Sequence, residues 1–193
     1  MRVLFKRLIF GVFVLLNLIP LIIYFLLKVI FRSDRIFADF SQMYSLIPGK
    51  IGDYCRSSFY FFTLKRCSAD VTISLGTIFP TPDVEIGSFV YIGAYCNISN
   101  SVIGDDVMLG SNVNVIGAKM THNFDDIETP IRLQGGQATT VLIGRNTWVG
   151  NSTIIMADLG AGCVIGAGSV VTKNIDDYSV AVGNPAKVIK KRA

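Results

Sequence analysis

The chain has 193 residues, enough for one domain with a sizeable core plus a shorter appended region. Hydrophobic residues make up 51% and the mean hydropathy is +0.50, high for a domain that is soluble throughout. The net charge of +4 is unevenly spread: ten Lys/Arg stand against three Asp/Glu up to Arg66, and eight against eleven from Cys67 onward. A basic, apolar amino-terminal third points to an anionic membrane surface. It argues against nucleic acid, because the basic residues flank apolar runs and form no continuous patch. Cys55, Cys67, Cys96 and Cys163 show no Cys-x-x-Cys spacing, and with a single histidine there is little from which to build a zinc site. Reduced, unpaired cysteines are the simplest account.

Leu8 to Leu27 is a run of twenty uncharged, mostly apolar residues, long enough to cross a bilayer as a helix. It is too long for a secretory signal, and no small-x-small cleavage site follows. Arg2, Lys6 and Arg7 precede it and Lys28, Arg32 and Arg35 follow it, so the positive-inside preference assigns no orientation. Pro20 stands near the centre, where its missing N–H and its clash with the preceding turn predict a kink. Two topologies follow: a segment that dips in and returns, with both basic ends on the cytoplasmic face, or a single kinked span.

Residues 33–47 place Ile36, Phe37, Phe40, Tyr44 and Ile47 on one face of a helix lying on the membrane or on the downstream domain. Pro48-Gly49 ends it. In residues 50–66, Arg56, Lys65 and Arg66 mix with Phe59-Tyr60-Phe61-Phe62. That is the composition of an interfacial belt or of packing against a core.

From Ile86 an aliphatic-Gly pair recurs with a six-residue beat. It runs Ile86-Gly87 and Ile92-Gly93, Ile103-Gly104 and Leu109-Gly110, Ile143-Gly144 and Val149-Gly150, Leu159-Gly160 and Ile165-Gly166. The fourth residue after each aliphatic is small or β-branched: Val90, Cys96, Val107, Val113, Thr147, Thr153, Cys163 and Ser169. Six is not a helical period, and glycine is too frequent for a helix. The pattern predicts a coil with flat sides of about six residues, stacked into a prism. The aliphatic fills the interior, the glycine permits a tight corner, and the small residue fits where space narrows. Strands of successive coils pair in parallel, so the stack grows as a solenoid. Between residues 117 and 140 the beat vanishes, and this stretch holds His122, the single histidine.

On these residues the chain resembles the hexapeptide-repeat acyltransferases. The stretch from Ile165 through Gly183-Asn184-Pro185-Ala186-Lys187 is very similar to the carboxy-terminal coil and ending of the sugar and xenobiotic O-acetyltransferase branch. The resemblance covers roughly residue 67 to the end. The hydrophobic leader before Pro48-Gly49 is similar to that of acetyltransferases from polysaccharide biosynthesis. The resemblance implies a mainly β fold, a left-handed parallel β-helix of hexapeptide coils, whose hand is an exception to the usual crossover rule. It also implies homotrimers with sites between subunits, and acetyl-CoA as co-substrate. Gamma-class carbonic anhydrases share the β-helix but need three histidines for a metal. Serine acetyltransferases use another helical amino-terminal domain and a second histidine. Neither subfamily fits, and no metal is expected.

Moving an acetyl group from a thioester to a sugar hydroxyl needs a base, and a neutral imidazole suits this at cellular pH. His122, in a Thr-His-Asn context, lies where the family places its catalytic histidine. Asp125, Asp126 and Glu128 are near it in sequence as groups that could orient the ring. Backbone N–H groups at a glycine-rich corner can stabilise the oxyanion. Asn97 follows Cys96 in a setting where the galactoside acetyltransferases contact the acceptor hydroxyl with an asparagine; a coil-corner asparagine is the other reading.

Trp148, the single tryptophan, matches one that borders the coenzyme and acceptor pocket in the family. Standing one residue before an interior aliphatic, it should point outwards. Gly150 and Asn151 follow along the same edge. Ala167, Thr172 and Lys173 match the coenzyme A-binding coil, where small residues let the pantetheine lie along the side and Lys173 or Lys190 meets phosphate oxygens. The end of the basic tail, Lys191 and Arg192, reads as solvated or membrane-facing.

The expected organisation is a helical membrane-associated region over 1–66 and a β-helix acyltransferase domain over 67–193, with an excursion at 117–140. The expected function is O-acetylation of a sugar hydroxyl on a polysaccharide or lipid-linked glycan precursor, at the cytoplasmic face of the inner membrane. An amino-sugar or antibiotic acceptor, and a non-catalytic β-helix scaffold at the membrane, are the alternatives.

Overall fold

The computed structural model describes residues 2–117, 122–137 and 139–192. Among these, four helices come first: α1 (Arg2–Leu16), α2 (Leu18–Phe31), α3 (Arg35–Ser45) and α4 (Gly49–Thr63). Short strands follow, running in coils. β1 (Arg66–Cys67) and β2 (Thr72–Ile73) open the first coil. β3 (Val84–Ile86), β4 (Tyr91–Ile92) and β5 (Asn97–Ile98) form the second, and β6 (Ser101–Ile103), β7 (Met108–Leu109) and β8 (Asn114–Val115) the third. After the excursion come β9 (Val141–Ile143), β10 (Trp148–Val149) and β11 (Ile154–Ile155), then β12 (Val164–Ile165) and β13 (Val170–Val171). β14 (Ser179–Val182) and β15 (Lys187–Lys191) finish the chain.

Corresponding strands stack in parallel to give three faces. Face A is β1-β3-β6-β9, face B is β2-β4-β7-β10-β12-β14, and face C is β5-β8-β11-β13. β15 turns back antiparallel on β14 and ends face B. The fold is therefore mainly β, a three-sided parallel solenoid with helices packed on its first coil.

The repeat explains the interior. All eight repeat aliphatics are buried, and so are all eight residues four positions on. Hydroxyls among the latter find partners inside: Thr147 donates to the Gly160 carbonyl at 2.9 Å, Thr153 to that of Gly150 at 2.8 Å and Ser169 to that of Gly166 at 2.7 Å. A buried hydroxyl left without a partner would cost about 1–3 kcal/mol, so these pairings decide whether Thr and Ser can replace Val here.

The repeat glycines do a different job from the one expected. Left-handed backbone falls two residues after each of them, at Phe89, Tyr95, Asp106, Asn112, Asn146, Ser152, Gly162 and Gly168. The glycines themselves let one coil lie on the next. A Cβ added to Gly93 would stand 2.5 Å from the Ser111 nitrogen and 2.6 Å from the Gly110 carbonyl carbon. Close approach of backbones, not corner geometry, requires glycine there.

An open solenoid end is a row of unpaired backbone groups. Here the helices cover it. The Ser41 hydroxyl accepts from the Phe79 N–H at 2.8 Å, and the Ser45 carbonyl accepts from the Gly76 N–H at 2.8 Å. Arg56, fully buried, donates to the Ile73 carbonyl (2.7 Å) on the first coil and to the Tyr44 and Ile47 carbonyls (3.1 and 2.7 Å) where α3 ends. Its remaining donor meets Asp53 at 3.1 Å. Burial disfavours the charged guanidinium and pulls its pKa down, while Asp53 offsets this. Of the two readings of this stretch, packing against the core holds for Arg56, which bolts the helices to the solenoid. At the opposite end, the Lys191 ammonium donates to the Asp177 carbonyl at 2.8 Å and the Arg192 guanidinium to the Gly162 carbonyl at 2.8 Å. These two residues are not simply solvated; they hold the tail onto the last coil.

The apolar run is broken at Asn17, and no single helix among the described residues is long and apolar enough to cross a membrane. The stretch Lys6–Leu16 and α2 pass that test only as a pair, bent by 53°. α1 ends at Leu16, the residue whose carbonyl would need the N–H that Pro20 lacks. Asn17 is buried and fills the break with polar contacts: its amide donates to Ser58 Oγ (2.5 Å) and the Cys55 carbonyl (3.1 Å), and Tyr44 donates to its Oδ1 (2.5 Å). The break is therefore clasped by α3 and α4 and does not project. A bend of 53° leaves α1 and α2 neither collinear nor antiparallel.

In α3, Phe37 and Tyr44 are buried, with Ile36, Phe40 and Ile47 packed against the core. The aromatic cluster of α4 divides: Phe59 and Tyr60 are buried, Phe61 and Phe62 exposed. Outward faces of α1 and α2 are almost wholly apolar, with Leu8, Leu15, Leu16, Ile19, Val29 and Ile30 exposed.

Candidate active site

The excursion leaves the solenoid at the corner between faces C and A, the vertex opposite face B. Its neck is pinched: the Thr139 N–H donates to the Gly117 carbonyl at 2.9 Å, and the Val141 N–H to that of Asn100 at 2.9 Å. Residues 118–121 and 138 of the 117–140 stretch lie outside the described residues. His122 is exposed, and the residue after it is clipped down twice. The Asn123 N–H donates to the Gly135 carbonyl (2.9 Å) and its side-chain amide to that of Gln134 (3.1 Å).

Gln134 organises the rest of the loop. Its amide nitrogen donates to the Asp126 and Thr129 carbonyls (2.6 and 2.7 Å), and its Oε1 accepts from the Asp126 N–H (3.2 Å). Asp126 Oδ1 accepts from the N–H groups of Glu128 (2.9 Å) and Thr129 (3.3 Å). The Thr129 side chain and these two backbone donors hold the Asp126 carboxyl below its usual range. Of the three acids near His122, Asp126 is thus spent on the loop's own turn. Asp125 and Glu128 are exposed. Nothing in the six-residue beat marks Gln134, because its work depends on how the loop closes.

The other expected site residues lie on several sides of the prism. Trp148 is on face B, 52% exposed, pointing outwards as its register requires. It stands beside Met108 and Val164, with Tyr91 beyond Met108, so an exposed apolar row runs up this face. Lys190 is exposed on β15 and pairs with Val180, extending the same face. Asn97 is exposed on face C opposite Asn114.

Gly150, Asn151 and Ala167 occupy the corner between faces B and C, where a Cβ on Gly150 would come within 2.5 Å of the Ala167 nitrogen. Asn151 Oδ1 accepts from the Ser111 N–H at 3.0 Å. Asp105 and Asp177 do the same for Ser88 (2.7 Å) and Ala161 (2.8 Å), so the carbonyl oxygen of Asn151 belongs to coil stacking. Thr172 and Lys173 are exposed at the vertex from which the excursion springs, two coils further along. One chain therefore roots the excursion that carries His122 at the same vertex as Thr172 and Lys173, and sets Trp148 and Lys190 on the face opposite that vertex.

Among the described residues, no group of His, Cys, Asp and Glu is placed to hold a metal. All four cysteines are free. Burial pushes the Cys67 thiol up to about 12, which keeps it unreactive near neutral pH.

No protein-family model matches the chain. It is 36% identical over 143 residues to a probable acetyltransferase of Mycobacterium tuberculosis, covering 60% of this chain and 47% of that protein. It is 38% identical over 103 residues to a putative acetyltransferase of Schizosaccharomyces pombe, covering 52% and 48%. The chain thus spans about half the length of these curated relatives. Among solved structures, a maltose O-acetyltransferase from Clostridium difficile superposes with a TM-score of 0.74 at 24% identity, over 86% of this chain and 89% of that one. A variant of AntD, an N-acyltransferase from Bacillus cereus in complex with dTDP and coenzyme A, gives 0.56 at 24% identity, over 64% and 71%. At these identities the structural likeness establishes the fold.

Proposed function

We propose that this protein is an acetyl-CoA-dependent O-acetyltransferase acting on a sugar hydroxyl, with His122 as general base. The observation that carries the reading is the single break in a regular solenoid, which presents an exposed histidine clipped at its neighbour by two hydrogen bonds. The relatives named as acetyltransferases support the reaction class. The solenoid neighbour that is a maltose O-acetyltransferase supports a sugar acceptor.

In this mechanism the imidazole takes the proton of the acceptor hydroxyl as its oxygen attacks the thioester carbonyl. It then returns the proton to the departing thiolate as the tetrahedral intermediate collapses. Residues at the corner of Gly150 and Ala167 suit a pantetheine arm, since the small side chains keep that corner low. Exposed Lys173 and Lys190 suit its phosphates. The excursion that carries His122 springs from the vertex opposite the face that carries Trp148, which favours a site completed by a second copy of the chain. That supports a homotrimer with sites between subunits. The apolar row on face B and the exposed Phe124, Ile127, Ile131 and Leu133 of the excursion support the same assembly.

The apolar outer faces of α1 and α2, flanked by basic residues, support a position at the cytoplasmic face of a membrane. Such a position favours an acceptor that is a polysaccharide or lipid-linked glycan precursor. The decisive experiment is thiol release from acetyl-CoA with a panel of sugars. His122→Ala should lower turnover by roughly 10²–10⁴-fold with an unchanged melting curve. Retained turnover would remove His122 from the chemistry. Mild base should strip the acetyl group from the product, because an ester is labile there; a base-stable product would instead be the amide of an amino-sugar.

A further inference from the structure

The outward column of face C runs, coil by coil, through Ile78, Asn97, Asn114, Ile154 and Val170. Ile78, Ile154 and Val170 are β-branched, as suits a strand; the two between them are asparagine, which strands disfavour. Coil stacking does not call for an amide here. Ile154 holds the equivalent place one coil further on and bonds in the same ladder. A local preference broken at two stacked positions marks a place with another task.

The surroundings of the pair say which task. Ladder bonds run from the Asn97 N–H to the Val113 carbonyl (3.1 Å) and from the Asn114 N–H to the Thr153 carbonyl (2.9 Å). The two amides therefore stand on adjacent strands of a rigid face, with a strand spacing of about 4.8 Å. Asn114 gives one amide hydrogen to the Asn112 carbonyl at 3.2 Å, which orients its side chain. Among the described residues, its Oδ1 and the whole Asn97 amide are left unspent. Ser99, the next outward residue after Asn97, is already used. Its hydroxyl donates to the Val115 carbonyl (3.0 Å) and accepts from the Gly117 N–H (3.2 Å), pinning the neck of the excursion. The amide pair thus adjoins the neck from which the His122 loop leaves: Asn97 stands two residues before Ser99, and Asn114 three before Gly117.

No member of this column is charged, so it offers nothing to the phosphates of a coenzyme. An amide pair suits an uncharged ligand with several hydroxyls, since each amide donates and accepts and so does each hydroxyl. We propose that Asn114 is a second acceptor-binding residue: with Asn97 it forms a two-amide step that takes two hydroxyls of one sugar unit and sets which sugar is acetylated. The proposal rests on the sugar-acetylation reading above and adds to it a residue that selects the acceptor.

The test is steady-state kinetics of thiol release from acetyl-CoA with glucose, galactose, N-acetylglucosamine and maltose. Asn114→Val puts a β-branched residue where Ile154 and Val170 have theirs, so the melting temperature should not fall. It should raise KM for the preferred sugar about tenfold, and leave kcat and the KM for acetyl-CoA within about twofold. Asn114→Thr, which keeps a donor and an acceptor, should lose less. Among monodeoxy analogues of that sugar, one should cost wild type the same factor and cost Asn114→Val nothing further. An unchanged sugar KM in Asn114→Val would overturn the proposal and leave sugar acetylation standing. A fall in molecular mass by light scattering, with both KM values raised, would assign the amide to assembly and overturn it as well. No sugar-dependent thiol release by wild type would remove this proposal together with the reading it rests on.

Discussion

The coils and the helical layer that covers them are both buried structures, held in opposite ways. Each coil repeats the last: backbone N–H groups bond to the next coil, aliphatics stack inside, and a glycine lets the backbones touch. The helical layer repeats nothing. It depends on two polar side chains, Asn17 and Arg56, each serving partners on several elements at once. The excursion is built like the helical layer, with Gln134 in the same role. In a repeat, stability is distributed over many similar contacts. In the two one-off regions it is concentrated, and a single change should undo more.

The largest test of this contrast is Arg56→Leu. It strips buried carbonyls of α3 and the first coil of their donor and leaves Asp53 with less to pair with. Chemical denaturation should show a loss on the order of 3–5 kcal/mol. Next comes Gly93→Ala, whose new methyl would press on the Ser111 and Gly110 backbone. A loss of about 2 kcal/mol is expected, and Gly144→Ala should match it within about 1 kcal/mol because the repeat makes the positions equivalent. A wide disparity between the two glycines would break the picture of distributed stability. Asn17→Ala should cost about 1–2 kcal/mol by leaving the Tyr44 hydroxyl without its acceptor. Smallest in stability is Gln134→Ala, within about 1 kcal/mol, since the excursion adds little to the core. Its turnover should nonetheless fall roughly tenfold or more if the loop positions the base. Unchanged turnover would separate the loop's order from catalysis.

The solenoid was legible because its physics is periodic. An interior position recurs every six residues, so the burial of Ile86 and of Ile165 followed from the same rule. The outward direction of Trp148 followed from register alone. Even there the reason for the glycines was misplaced: spacing shows that a small residue is needed, but not whether a corner or a neighbouring backbone demands it. The helical layer was legible only in part. A lone amide in an apolar run and an arginine beside aromatics are both visible at Asn17 and Arg56. Their meaning depends on carbonyls and hydroxyls that come from residues up to 41 positions away.

What the sequence by itself determined is the parallel coil, its interior and the one place where the pattern stops. Those features depend on contacts between equivalent positions, which a fixed period reveals. Only the tertiary structure decided that the break in the apolar run is clasped against α3 and α4, and that Arg56 bolts the helices to the first coil. It alone set Trp148 on the face opposite the vertex from which the excursion springs. Each of these is a meeting of unlike segments, and no local pattern encodes which distant partner a buried polar group will find.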